Sequence, residues 1–112
     1  MTELSEEDAK LVALARQARG RIQAEEGAAV RDETGRSYSG ATITLPSTTL
    51  TALQLAVAQA VAAGARDIEA AVVITKNTDI DPAPIVEAAS TATPLHVCSV
   101  KGEVLSSTTV EV

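Results

Sequence analysis

The first apolar positions recur at helical spacing. Leu11, Leu14, Ala15, Ala18 and Ile22 fall on one face, with Arg16, Arg19 and Arg21 mostly on the other. Ser5 stands before Glu6, Glu7 and Asp8, a capping residue followed by acids where the helix dipole favours them. The pattern predicts a helix over about 5–26, stopped by Gly27. The period then changes. Residues 27–32 and 37–44 are short and rich in strand formers, and they flank Glu33-Thr-Gly-Arg36, so a β-hairpin is expected with Gly35 in its turn. Pro46 and Ser47 end the second strand, and Ser47 offers a new cap. From Leu50 to Ala63 every side is apolar except at Gln54 and Gln59, which predicts a helix over 50–63 buried all round and ended by Gly64.

Residues 68–75 read as a strand whose second half is continuously apolar, as central parallel strands are. A polar, acidic loop follows at 76–82. A short helix is expected over 83–89, with Pro84 in its first turn. Residues 94–100 form another strand, 103–105 pair back as an edge, and 106–112 are left as a tail. This order predicts an α/β fold, a three-layer α/β/α sandwich whose mixed sheet opens with a β-hairpin and is largely parallel beyond it. One domain is expected over 1–112, with its core at about 8–105.

Composition narrows the function. Fifteen acids against nine bases leave a net charge of −6, which argues against nucleic acid or an anionic membrane surface as partner. The chain has no Phe or Trp and one Tyr, while Ala fills 21 positions. Stacking a base on an aromatic face is therefore disfavoured. One Cys and one His exclude a disulfide framework and a zinc site built from Cys and His within one chain. The start of the chain shows no targeting segment, and the uncharged stretch 37–65 is broken by Gly40 and Pro46, so a cytoplasmic protein without a membrane span is expected.

Few residues offer chemistry. No glycine-rich phosphate loop is present. His96 and Cys98 share a strand face, which would suit a thiolate–imidazole pair, although free Cys is more often a small buried hydrophobe. Asp79, Asp81 and Glu87 cluster before the short helix and could hold a hard cation, but a solvated acidic loop is the commoner outcome. Asp32 and Glu33 read as a solvated turn.

The run from Gly27 to Gly40 (Gly-Ala-Ala-Val-Arg-Asp-Glu-Thr-Gly-Arg-Ser-Tyr-Ser-Gly) resembles the opening hairpin of the cytidine deaminase family. Residues 50–64 are similar to that family's central helix, and 68–75 to the strand after it. The resemblance implies the deaminase fold over roughly 8–105. It also implies where an active site would lie. Zinc deaminases use three Cys or His ligands and a proton-carrying Glu, in an H/C-x-E … P-C-x-x-C signature. The matching ligand positions here are Thr51, Ala83 and Val86, and the Glu position is Leu53. The family's ribose-holding Asn-x-Glu falls on Thr42 and Thr44, and its aromatic segment before the first strand on Ala24-Glu25-Glu26.

The expected protein is thus a catalytically inactive deaminase-like interaction or structural subunit, with no cofactor. A homo-oligomer formed through the 50–63 helix is expected, as the family resemblance also implies. Two alternatives stand beside it: a zinc-free binder of a small, nucleoside-like ligand, and a divergent hydrolase with a new site, which would need its acids or His96 in a cleft.

Overall fold

A computed structural model describes residues 4–112. Residues 1–3, part of the start read above as free of a targeting signal, lie outside the described residues. The elements are α1 (Glu6–Ile22), β1 (Gly27–Asp32), β2 (Ser37–Ala41), β3 (Ile43–Leu45), β4 (Thr48–Leu50), α2 (Ala52–Ala62), β5 (Ile68–Ile74), α3 (Ala83–Ala88), β6 (Thr93–Cys98) and β7 (Val104–Val110). Five strands form one mixed sheet in the order β2-β1-β5-β6-β7. Leu11, Val12 and Ala15 of α1 pack on one face, against Ala29, Val72, Ile74 and Cys98. Leu53, Val57 and Ala60 of α2 and Ile85 of α3 pack on the other, against Ala28, Val30, Val73, Leu95 and Val97. Neighbouring positions along β1 and β5 thus serve opposite faces, as the pleat requires. The result is the expected three-layer α/β/α arrangement. Among the described residues, no helix is long and apolar enough to cross a membrane.

Beyond the hairpin the sheet is not largely parallel. Only β5 and β6 run parallel; β1–β5 and β6–β7 are antiparallel. The reason is where β5 inserts. It enters beside β1, whose other edge is already taken by β2. The edge strand at the far side also extends through Val110, into the segment expected to be a tail.

Two glycines set how closely the helices approach. A Cβ on Gly27 would run into the backbone oxygen of Ala15 and stand 2.8 Å from the Cβ of Arg19. A Cβ on Gly40 would stand 2.8 Å from the Cβ of Leu55 and 3.1 Å from the Ala52 oxygen. With no Cβ at either position, α1 and α2 lie directly on strand backbone.

Three local expectations are corrected. Helix α1 stops at Ile22, not near 26, because Gln23 takes a left-handed conformation (φ 52°) and turns the chain toward β1. That leaves Ile22 57% exposed, off the buried face. The second hairpin strand breaks at Thr42, and β3 pairs with β4 as a separate two-stranded ribbon. Ser47 therefore lies in a turn, and Thr51 caps α2.

Asp32 is not a solvated turn residue; it is 2% exposed. Its Oδ1 accepts from the Thr34 N–H (2.9 Å), the Thr34 hydroxyl (2.6 Å) and the Arg36 N–H (3.1 Å), and its Oδ2 from the Tyr38 hydroxyl (2.8 Å). Burial opposes its ionisation, but these donors outweigh it and hold the carboxyl below the usual carboxylate range. A lowered folded-state pKa gives stability that is present above the unfolded carboxylate value and is lost as pH falls through the folded one. Asp32→Asn is therefore expected to unfold more easily at pH 7, by about 1–3 kcal/mol, and to flatten the acid limb of stability against pH. Urea melts from pH 2 to pH 7 check both. An unchanged acid limb would contradict the role given to Asp32.

Candidate functional site

The carboxyl end of β5, the start of β1 and the amino end of α2 meet around a cavity of about 170 Å³. Glu26, Thr51, Leu53, Val73, Asp79, Ile80 and Asp81 line it. Thr51 is placed there by its role as cap. Its hydroxyl oxygen accepts from the Gln54 N–H at 3.1 Å, and its own N–H donates to Gln54 Oε1 at 2.8 Å. This reciprocal box satisfies two amides at the helix start and occupies the Thr51 side chain. Leu53, one turn position on, is 3% exposed and belongs to the core with Val73 and Ile85.

The remaining walls are held locally. The Thr42 N–H donates to the Glu26 carbonyl at 3.0 Å, and its Oγ1 accepts from the Ala52 N–H at 3.2 Å. Thr42 therefore ties the ribbon to the start of α2. Thr44 lies exposed on the ribbon, opposite Thr49. The hydroxyl of buried Thr75 donates to Glu26 Oε2 at 2.8 Å, which fixes that carboxylate at the cavity. Asp81 Oδ1 accepts from the Ala83 N–H at 3.0 Å.

A family model for cytidine deaminase-like proteins matches residues 4–102. The chain belongs to the cytidine deaminase-like family. Solved structures agree on the fold. Cytidine deaminase from Burkholderia pseudomallei is 19% identical, with a TM-score of 0.78 over 95% of this chain and 93% of that one. A variant of cytidine deaminase from Mycobacterium tuberculosis is 18% identical, with a TM-score of 0.67 over 83% and 85%. No curated protein matches the chain significantly.

Zinc, which the deaminase resemblance implies, does not fit these residues. At the four positions carried over from the deaminase signature, Leu53, Ala83 and Val86 present hydrocarbon, and the Thr51 hydroxyl is engaged as a cap. Glu26, Asp79 and Asp81 share the cavity. Yet among the described residues no group of three or more His, Cys, Asp and Glu side chains is placed to hold a metal ion. Two of the four positions also lie elsewhere. Val86 is 43% exposed and faces a groove over β6 and β7; Ala83 lines a hollow beside Gln54 and Val57. The α3 residue packed in the core with Leu53 is Ile85. A helix turns about 100° per residue, so burying Ile85 turns Val86 outward. Ile85, rather than the carried-over Ala83 or Val86, is the α3 residue that shares the core with Leu53.

The other candidates separate as well. Asp79 lines the cavity and Glu87 the hollow beside α2, while Asp81 borders both. His96 and Cys98 share a face but do not pair. Both ring nitrogens of His96 are taken, Nδ1 by Ser107 Oγ at 2.8 Å and Nε2 by Asp8 Oδ2 at 3.0 Å. Cys98 is fully buried under α1, and burial pushes its thiol pKa up, so it stays protonated. Sequence reading missed Glu26 as a wall of the cavity. Its signals were an acid directly before an apolar strand and its place in the Ala24-Glu25-Glu26 segment that the resemblance carries over.

Proposed function

We propose that this chain is a catalytically inactive cytidine deaminase-like protein that works as a structural or interaction subunit. Leu53 carries the reading. A buried leucine stands at the position that the family resemblance gives to the proton carrier, and no alkyl side chain moves a proton. The cavity beside it supports the same view. Ligand sites usually offer about 300–1,000 Å³, and this space is about 170 Å³. A nucleoside-sized ligand is therefore the weaker reading.

The subunit role rests on α2. Its inner face (Ala52, Leu53, Ala56, Val57, Ala60) is buried, while Gln54, Ala58, Gln59, Val61 and Ala62 are exposed. No charge interrupts residues 37–65, and Val61 is 53% exposed. Small residues allow a second copy of this helix to approach closely. Light scattering at micromolar concentration is expected to give a multiple of 11.5 kDa. Ala58→Arg, at an exposed helix position, is expected to return a folded monomer. A parent mass that stays at 11.5 kDa when concentration is raised tenfold overturns the self-assembly reading.

A further inference from the structure

Across the sheet from Leu53, under the start of α1, five elements bring a chain of polar side chains together. Ser107 of β7 is exposed, and its Oγ lies 2.8 Å from Nδ1 of His96 on β6. The other nitrogen, Nε2, lies 3.0 Å from Oδ2 of Asp8 on α1. Oδ1 of Asp8 is 3.0 Å from Nη2 of Arg31 on β1. The Arg31 Nε–H donates to Glu69 Oε1 on β5 at 2.8 Å. Asp8, Arg31 and Glu69 are the charged groups of this chain, and His96 is 8% exposed among them.

We infer that Ser107 and His96 form a nucleophile–base pair, oriented by Asp8, that accepts acyl groups from small esters with an unhindered carbonyl. The arrangement has the three side chains of such a relay: a hydroxyl within hydrogen-bond reach of an imidazole, and a carboxylate on the far nitrogen. The carboxylate accepts a hydrogen bond from Nε2–H and fixes the tautomer, leaving the Nδ1 lone pair toward Ser107. Arg31 holds Asp8 in turn. Burial works against the charge on Arg31, but the hydrogen bonds it donates to Glu69 and Asp8 outweigh it and raise its pKa, so it stays a cation.

The step balances. Nδ1 takes the Ser107 proton as Oγ forms a bond to the ester carbonyl carbon. The carbon–alkoxide bond breaks, and the proton on Nδ1 passes to the departing alkoxide. Water then attacks the acyl-serine, giving one proton to Nδ1; the acyl–Oγ bond breaks, Nδ1 returns that proton to Oγ, and a carboxylic acid and free Ser107 result. Ser107 sits on the open edge strand, so selectivity for the acyl group is expected to be low.

The test uses the full chain with a fluorophosphonate and with p-nitrophenyl acetate, read by intact mass and peptide mapping. One adduct on Ser107 is expected, formed on the order of 100-fold faster than in His96→Gln and absent in Ser107→Ala. In the parent, Ser107 should be labelled while the neighbouring exposed hydroxyls of Ser106, Thr108 and Thr109 stay unmodified. That pattern needs no variant to fold. No adduct, an adduct on another residue, or an unchanged rate in a folded His96→Gln overturns the inference.

Discussion

Gly27→Ala is expected to lower the melting temperature by roughly 10–20 °C, equivalent to about 3 kcal/mol. The new methyl group would enter the space where α1 crosses β1. It would meet the Ala15 carbonyl oxygen and stand 2.8 Å from the Arg19 Cβ and 3.0 Å from the Arg19 nitrogen. Two of these three atoms belong to the α1 backbone, so no side-chain rotation relieves the contact. Either α1 lifts off the sheet or β1 bends, and both loosen the packing of Leu11 and Ala15. Gly20→Ala is the control. Gly20 lies in the same helix with nothing within 4 Å of its added Cβ. It is expected to gain roughly 0.5–1 kcal/mol from helix propensity. Thermal melts of the two variants side by side decide the matter. Equal shifts would mean that α1 does not rest on Gly27.

Leu53→Glu is expected to cost about 4 kcal/mol at neutral pH. Part is the lost burial of a leucine that is 3% exposed. The larger part is an introduced carboxylate without a partner, beside Glu26, Asp79 and Asp81. Because burial and neighbouring acids raise the pKa of such a group, the penalty should shrink as pH falls toward 5. Leu53→Met, which keeps volume and polarity, is expected to cost less than about 1.5 kcal/mol. Denaturant melts at two pH values separate these terms. A Leu53→Glu protein as stable as the parent would place Leu53 outside the core. The same substitution restores a carboxyl at the position of the family's proton carrier, yet Ala83 and Val86 still supply no ligand.

What the sequence made legible follows from what each signal depends on. The hairpin, the central helix and the β5 and β6 strands depend on local periodicity, and each lies within a few residues of its expected span, the second hairpin strand ending at Ala41 instead of 44. The resemblance to the deaminase family rested on these same elements. Positions decided by a competition between neighbours were not legible. Ser47 and Thr51 are both good caps; the β3–β4 ribbon takes Ser47 into its turn and leaves Thr51, with Gln54 three residues on, to cap α2. Ile85 and Val86 are both apolar, and only the docking of α3 decides which faces Leu53.

Long-range polar contacts were hidden for another reason. Asp8, Arg31, His96 and Ser107 are far apart in sequence and meet only because β5 inserts between β1 and β6 and α1 crosses that face. The one trace they leave is a charged residue, Arg31, inside an apolar strand. Asp32 was misread because a turn acid that accepts four local hydrogen bonds has the same local sequence as one that faces water.

The proposed loss of deaminase chemistry is tested most directly by cytidine turnover. The purified chain is supplied with zinc, and the absorbance change from cytidine to uridine is followed. The expected rate equals that of buffer with zinc alone, at every protein concentration. Turnover that rises in proportion to protein would contradict it, and would require a zinc site and a proton carrier other than Thr51, Leu53, Ala83 and Val86.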